Sequence, residues 1–219
     1  MNTKSILIYG AGGLAKEIAG LIEVCNQAQP RYTIAGFIDD DATRHGALLN
    51  GFPIMGLATA YQQFPEAYMV GGIGSPRIRQ KVIEKAQAIG FHFETIIHPR
   101  AEYSRWVAFG IGTVVFGCNN FTTDITVGQH VQVNPGCTIA HDVIIGDYVM
   151  LTPGVRISGN VHIGARAYIG SGSVISNGTP QTPLTIGEDA IIGAGACVIR
   201  SVPAGVTVVG VPAKPIKRA

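Results

Sequence analysis

The segment GCTIAHDVIIGDYVML, residues 136–151, sets His141 directly before Asp142 in a run that is otherwise mostly apolar or glycine. An isolated histidine in a turn is ordinarily a solvated surface residue, and the adjoining carboxylate is what sets this one apart. A free imidazole titrates near pH 6.5, so it can take a proton from a nucleophile at neutral pH, and a carboxylate neighbour fixes its tautomer. The pair is therefore a candidate general base, His141, oriented by Asp142, and the adjacency is one of two features behind that assignment.

A second candidate lies near the N-terminus, where GAGGLA at 10–15 fits the pattern GxGxxA. Glycines there let the backbone approach a phosphate at a helix N-terminus, which makes Gly12, Gly13 and Leu14 candidate substrate-binding residues. The same pattern alone would equally suit NAD. Asp39 and Asp40 end the next apolar run, where carboxylates can accept from a base or a ribose; Gly74 and Ser75 follow the third such run and could complete the pocket. Asp41 and Arg44 are assigned to a solvent-facing loop.

These groups must be positioned by two halves with different grammars. Residues 1–100 alternate strand and helix patterns: ILIY is a buried strand, GAGG a tight turn, and Leu14, Ile18, Leu21, Ile22 and Cys25 mark one helical face. YTIAGFID and YMVGGIG are further strands. Ser75 is the expected N-cap of a helix with Pro76 at its first position and Gly90 at its end. The expectation is a small Rossmann-like α/β unit with a parallel sheet. About 95 residues are too few for both halves of a dinucleotide fold, which favours a single nucleotide-sugar over NAD.

From residue 101 to 219 the period becomes six. Phe109, Val115, Phe121, Val127, Val133, Ile139, Ile145, Leu151, Ile157, Ile163, Ile169 and Ile175 recur in register without exception. The fifth position of each hexad is usually small or β-branched. In NGTPQTPLT the frame slips by five residues and resumes at Ile186, Ile192 and Val198, as an extruded loop would require. Each hexad makes one short strand and a turn, three make a triangular coil, and stacked coils bury a continuous apolar column. The expected architecture is a left-handed parallel β-helix of about five coils, with Gly159 one 18-residue coil after His141 and stacked on it.

Composition excludes other classes. The net charge of +2 provides no basic field for nucleic acid. No stretch approaches the roughly 20 apolar residues of a membrane span, and a cytoplasmic protein is expected. Cys25, Cys118, Cys137 and Cys197 contain no CxxC pair and read as reduced, mostly buried thiols.

The ordered combination of GAGGLAKEI, the hexads, NPGCTIAHDVIIGD and the closing VPAGVTVVGVPAK resembles the hexapeptide-repeat sugar acetyltransferases. Within these, the chain is similar to N-acetyltransferases of nucleotide-linked 4-amino-4,6-dideoxy sugars of the bacillosamine and perosamine type, relatives of sialic acid O-acetyltransferases. The resemblance implies direct acetyl transfer from acetyl-CoA to a sugar amine, no metal, a homotrimer with active sites between subunits, and a place in polysaccharide or O-antigen biosynthesis. It implies His141 as base, Asn134 as a polar site residue, and the Gly159 N–H as donor to the acetyl oxygen. Ser171 and Ala194 would meet the pantetheine arm, and a basic tail of Lys214, Lys217 and Arg218 the CoA phosphates. Two departures bear on the substrate: many relatives carry histidine where this chain has Leu14, and some carry a polar residue where it has Met150.

Rival readings are a sugar O-acetyltransferase, a zinc enzyme of the gamma carbonic anhydrase type, an NAD-dependent oxidoreductase and a noncatalytic scaffold. His130, His141 and His162 occupy different hexad positions and do not make a zinc column. Cys137 falls at a core position and Cys118 lacks a basic neighbour in sequence, so neither is expected to be a ping-pong nucleophile.

Overall fold

The computed structural model describes residues 3–216, and the chain divides into two compact units, Met1–Pro99 and Arg100–Ala219. The first contains β1 (Lys4–Tyr9), α1 (Gly13–Ala28), β2 (Tyr32–Ile38), β3 (Leu48–Leu49), β4 (Phe52–Met55), α2 (Leu57–Gln63), β5 (Tyr68–Gly71), α3 (Pro76–Ala88) and β6 (His92–Phe93). The sheet runs β3-β4-β2-β1-β5-β6 and is parallel except for the β3–β4 pair. Ile6, Leu7, Ile8, Phe37, Ile38, Met69 and Val70 are fully enclosed, as expected of central parallel strands covered on both faces.

Helix α1 buries Ala15, Ile18, Ala19, Leu21, Ile22 and Cys25. Leu14, expected on that face, is only half-buried, and Ala15 takes its place. The reason is a close approach: a Cβ added to Gly72 would lie 2.9 Å from the Ala15 Cβ, so only small residues fit where helix meets strand. Gly10 is equally constrained, with φ of +122° and the Gly72 carbonyl 2.8 Å from where its Cβ would be. In α3, Pro76 occupies the first turn and Ser75 is the N-cap, although its hydroxyl makes no cap bond. Gly90 follows the helix with φ of +103°.

The second unit is the left-handed parallel β-helix. One face stacks Val114–Val115, Gln132–Val133, Met150–Leu151, Tyr168–Ile169, Ile191–Ile192 and Thr207–Val209. The next stacks Glu102–Tyr103, Asn120–Phe121, Thr138–Ile139, Arg156–Ile157, Val174–Ile175 and Cys197–Val198. The third stacks Val107–Phe109, Ile125–Val127, Ile144–Ile145, Val161–Ile163 and Leu184–Ile186. Below the frame slip, every pairing joins residues eighteen apart.

The periodic apolar residues fill the interior from Val115 onward, while Phe109 in the first coil is half-exposed. Fifth positions Val131, Cys137, Val143, Val149, Val155, Val161, Ala167 and Ser173 are fully enclosed at the corners. Each fourth position from Gly112 to Gly172 has positive φ. These are the turning residues, and the left-handed conformation explains the recurrence of Gly, Asp and Asn among them. Asp142, with φ of 56°, is one of them. Lys214, expected in a basic tail, lies instead on a short strand, Lys214–Ile216, antiparallel to Thr207–Val209; Lys217 and Arg218 lie outside the described residues.

The core column sets a stability test. Ile157→Ala, at a position only 3 % exposed, should cost about 2–5 kcal/mol in denaturation experiments. Val174→Ala, on the outer side of the adjoining strand, should stay within about 0.5 kcal/mol.

Candidate active site

The His141 edge is the corner between the second and third faces. Residues Ala140 to Val143 turn the chain there, and His141 projects outward because it precedes the left-handed residue. His141 Nδ1 and Asp142 Oδ2 are 2.8 Å apart. A carboxylate only accepts, so Nδ1–H donates, which leaves Nε2, beside Gly159, as the acceptor nitrogen whenever the ring is neutral. Both side chains are 56 % exposed, so the geometry is held at a surface open to large substrates.

Gly159 lies one coil further along, as its 18-residue spacing requires. The Asn160 N–H donates to the His141 carbonyl at 3.1 Å, and Gly178 N–H to the Gly159 carbonyl at 3.1 Å. A Cβ on Gly159 would fall 2.5 Å from His141 Cε1 and 2.7 Å from Nε2, so the imidazole occupies the space that glycine leaves. Among the described residues no acceptor takes the Gly159 N–H. An imidazole and a free amide donor thus stand side by side on one edge, an arrangement that could serve acyl transfer.

Asn134, Ser171 and Ala194 are elsewhere, at the corner between the first and second faces. Ser171 O accepts from Gly195 N–H at 2.8 Å, and Ser171 Oγ donates to Thr152 Oγ1 at 3.1 Å. Ser171 and Ala194 are exposed. Asn134 is buried, its backbone tied to Leu151 O, and its Oδ1 has no hydrogen-bond partner among the described residues. In one chain these three therefore sit at the opposite end of the second face from His141 and Gly159. Hexad arithmetic alone separates the corners, since 134, 171 and 194 fall out of phase with 141 and 159.

The remaining histidines lie apart from His141. His130 is at the third corner, stacked on Tyr148 with ring centroids 5.2 Å apart, and His162 is within a strand of the third face. Of the cysteines, all free, Cys25 and Cys137 are buried, Cys197 is half-buried and Cys118 is exposed. Burial pushes the Cys137 thiol up to about 11, and it donates to the Asn134 and Thr152 carbonyls, an inert arrangement. Cys118 does have a basic neighbour that its local sequence lacks: Arg100 lines the same cavity of about 340 Å³, with Glu102, Asn119 and Asn120.

In the first unit, the ends of β1, β2 and β5 bring the expected residues to one edge of the sheet. Gly12 and Gly13 are exposed with open space around them, and no acceptor among the described residues takes the Gly12, Gly13 or Leu14 amides. A helix terminus of this kind suits an anion. Asp39 is bonded to Arg44 Nη1 at 2.5 Å, and Arg44 Nη2 donates to Ala11 O at 2.8 Å. Arg44 therefore clamps the glycine turn to β2 and is not the solvent-facing residue expected; Asp41 instead caps the turn Ala42–Arg44 through Thr43.

Asp40 accepts from Lys85 Nζ at 2.8 Å and Tyr9 Oη at 2.7 Å, and these bonds hold its carboxyl below the usual range. Burial, and then Asp40, push the Tyr9 hydroxyl well above its ordinary value. Arg79, fully enclosed, donates to Ile73 O at 2.8 Å and anchors the loop before Gly74. Tyr9, Arg44, Arg79 and Lys85 had no sequence signal, since their partners lie on separate elements. A second cavity, about 440 Å³, lies at the other end of β1 and β5, lined by Thr3–Ser5 and Gln63–Tyr68, and touches none of the candidate residues.

Comparison with known proteins decides the class. The family model of the PglD N-terminal domain matches residues 5–86, and that of the bacterial transferase hexapeptide repeat matches residues 124–159. A GDP-perosamine N-acetyltransferase of Escherichia coli O157:H7 is 36 % identical over 215 residues, covering 96 % of each chain.

The chain belongs to the hexapeptide-repeat sugar N-acetyltransferases.

Among solved members of the family, PerB from Caulobacter crescentus, in complex with CoA and GDP-perosamine, is 32 % identical, with a TM-score of 0.86 over 97 % of each chain. WeeI from Acinetobacter baumannii AYE is 35 % identical, with a TM-score of 0.86 over 98 % of this chain and 100 % of the other. As a member of this family the protein is an acetyltransferase. Among its described residues no helix is long and apolar enough to cross a membrane.

Gly159→Ala tests the edge. The clash falls on the far end of a half-exposed side chain, so the fold should survive while the imidazole is displaced. Acetyl transfer should fall by roughly 10- to 100-fold with the melting temperature nearly unchanged, both read on the same preparations.

Proposed function

We propose that the protein acetylates the 4-amino group of a nucleotide-linked 4-amino-4,6-dideoxyhexose with acetyl-CoA, the GDP-linked sugar being the first choice. The observation that carries this reading is the juxtaposition of the His141–Asp142 pair with the unpartnered Gly159 amide. Support comes from the E. coli relative, a GDP-perosamine N-acetyltransferase, and from the complex of PerB with CoA and GDP-perosamine.

The amine nitrogen attacks the thioester carbonyl, and the developing oxyanion takes the Gly159 N–H. His141 Nε2 accepts the amine proton, and Asp142, bonded to Nδ1, stabilises the imidazolium. Collapse of the tetrahedral intermediate breaks the C–S bond, and the leaving thiolate takes that proton back from His141. Acetamide and free CoA result, with no covalent acyl-enzyme. The inert Cys137 fits this direct route.

Residues 1–100 serve as the nucleotide-sugar unit, with the free amides of Gly12, Gly13 and Leu14 facing phosphate and Asp39, Asp40, Gly74 and Ser75 around the nucleoside. Residues 101–219 carry the transfer. Asn134, Ser171 and Ala194 occupy a different corner from His141, so their assignment to the same site requires a neighbouring copy. A homotrimer, each site built from the His141 corner of one protomer and the Ser171 corner of the next, supplies that geometry. Lys214 would then face the CoA phosphates.

Thiol release from acetyl-CoA, measured against GDP-, dTDP- and UDP-linked 4-amino-4,6-dideoxyhexoses, checks the reading. Turnover should appear with the GDP-linked amine and fall by about two orders of magnitude or more in His141→Asn. Activity on sialic acid hydroxyls alone would replace the amine with an O-acetyl acceptor.

A further inference from the structure

The residues that interrupt the six-residue frame leave the β-helix at the His141 edge. Along it, Thr123, His141 and Gly159 precede the left-handed residues Asp124, Asp142 and Asn160, and Asn177 continues the column before Gly178, whose φ is not left-handed. The ladder is continuous: Asp142 N–H donates to Thr123 O, Asn160 N–H to His141 O and Gly178 N–H to Gly159 O. Asn177 thus occupies the rung beyond Gly159, as Gly159 occupies the rung beyond His141.

The loop that follows is tied at its root and at its tip. Gly178 N–H and Leu184 N–H are bonded to the Gly159 and Asn160 carbonyls, both at 3.1 Å. Thr179 and Thr182 exchange backbone hydrogen bonds at 3.0 and 3.1 Å, and Thr182 N–H also reaches Thr179 Oγ1 at 3.0 Å. Only glycine fits the neck, where a Cβ on Gly178 would lie 2.3 Å from Leu184 N and 2.5 Å from Asn160 O. A hairpin fixed in this way holds Asn177 in place.

Asn177 is exposed, and its Nδ2 makes a 3.2 Å bond to Gly178 O, while its Oδ1 accepts nothing among the described residues. Between its carboxamide and the His141 ring stands a residue with no side chain. Residues 177–183, NGTPQTP, carry no charge, so the chemistry they offer suits a neutral polar group and not a phosphate.

We infer that Asn177 is a binding residue for the acyl donor: its carboxamide hydrogen-bonds the first amide of the pantetheine arm while the Gly159 N–H holds the thioester carbonyl. The inference rests on the functional reading given under Proposed function. One rung rises about 4.8 Å, comparable to the two-carbon spacing between the thioester sulfur and that amide.

The test compares S-acetyl-N-acetylcysteamine, which retains the first pantetheine amide, with S-pentyl thioacetate, an equally long donor without it. Wild type should prefer the amide-bearing donor, and Asn177→Ala should lose about 3- to 10-fold of that preference. An unchanged preference overturns the inference, whatever happens to the overall rate or the melting temperature, because a purely structural role would slow both donors alike. If neither short donor reacts, calorimetric affinity for CoA decides: a similar weakening in Asn177→Ala supports the contact, and a wild-type Kd overturns it. Wild type that binds CoA but acetylates no amine or hydroxyl would refute the functional reading while leaving the Asn177 contact to be judged by that same affinity.

Discussion

In-register pairing of each short strand with the strand eighteen residues later governs everything at the His141 edge. It converts a distance along the chain into a direction in space, so residues at multiples of eighteen stand in a column at a fixed rise. The left-handed residue that turns each corner fixes which neighbour projects outward. The His141 imidazole and the Gly159 amide stand together because they share a column, and Gly159 can share it because it has no side chain to displace the imidazole. Asp142 serves the same economy: the conformation required of a corner residue favours Asp, Asn or Gly, and here that residue also reaches His141 Nδ1.

Much of this was legible in the residues alone. The hexads fixed the coil, and the coil placed Gly159 against His141 before any coordinate was known. That Ser171 and Ala194 stand at another corner emerged only with the structure, although their eighteen-residue phase accounts for it. The hexads could not show that Asn134 is buried with an unpartnered carbonyl oxygen, since a position beside a corner can face either way.

The α/β unit was less readable, for a physical reason. Parallel strands bring together residues far apart in sequence, and nothing local announces the pairing. Arg44 looked like a loop cation, yet it bridges Asp39 and the Ala11 carbonyl; Lys85 on α3 meets Asp40 at the end of β2. Leu14 yielded its expected buried place to Ala15 because Gly72 approaches the helix too closely for a larger residue. Periodicity reports which face is apolar, but the closest contact decides which member of that face is enclosed.

The central claim is that one edge of the β-helix presents the base and the oxyanion donor together. The measurement that tests it most directly is a crystal structure of the protein with CoA and a nucleotide-linked amino sugar. The account predicts the sugar amine within hydrogen-bond reach of His141 Nε2 and the thiol sulfur beside the Gly159 N–H. A sulfur at a corner other than that of His141, or an amine directed away from the imidazole, would contradict it.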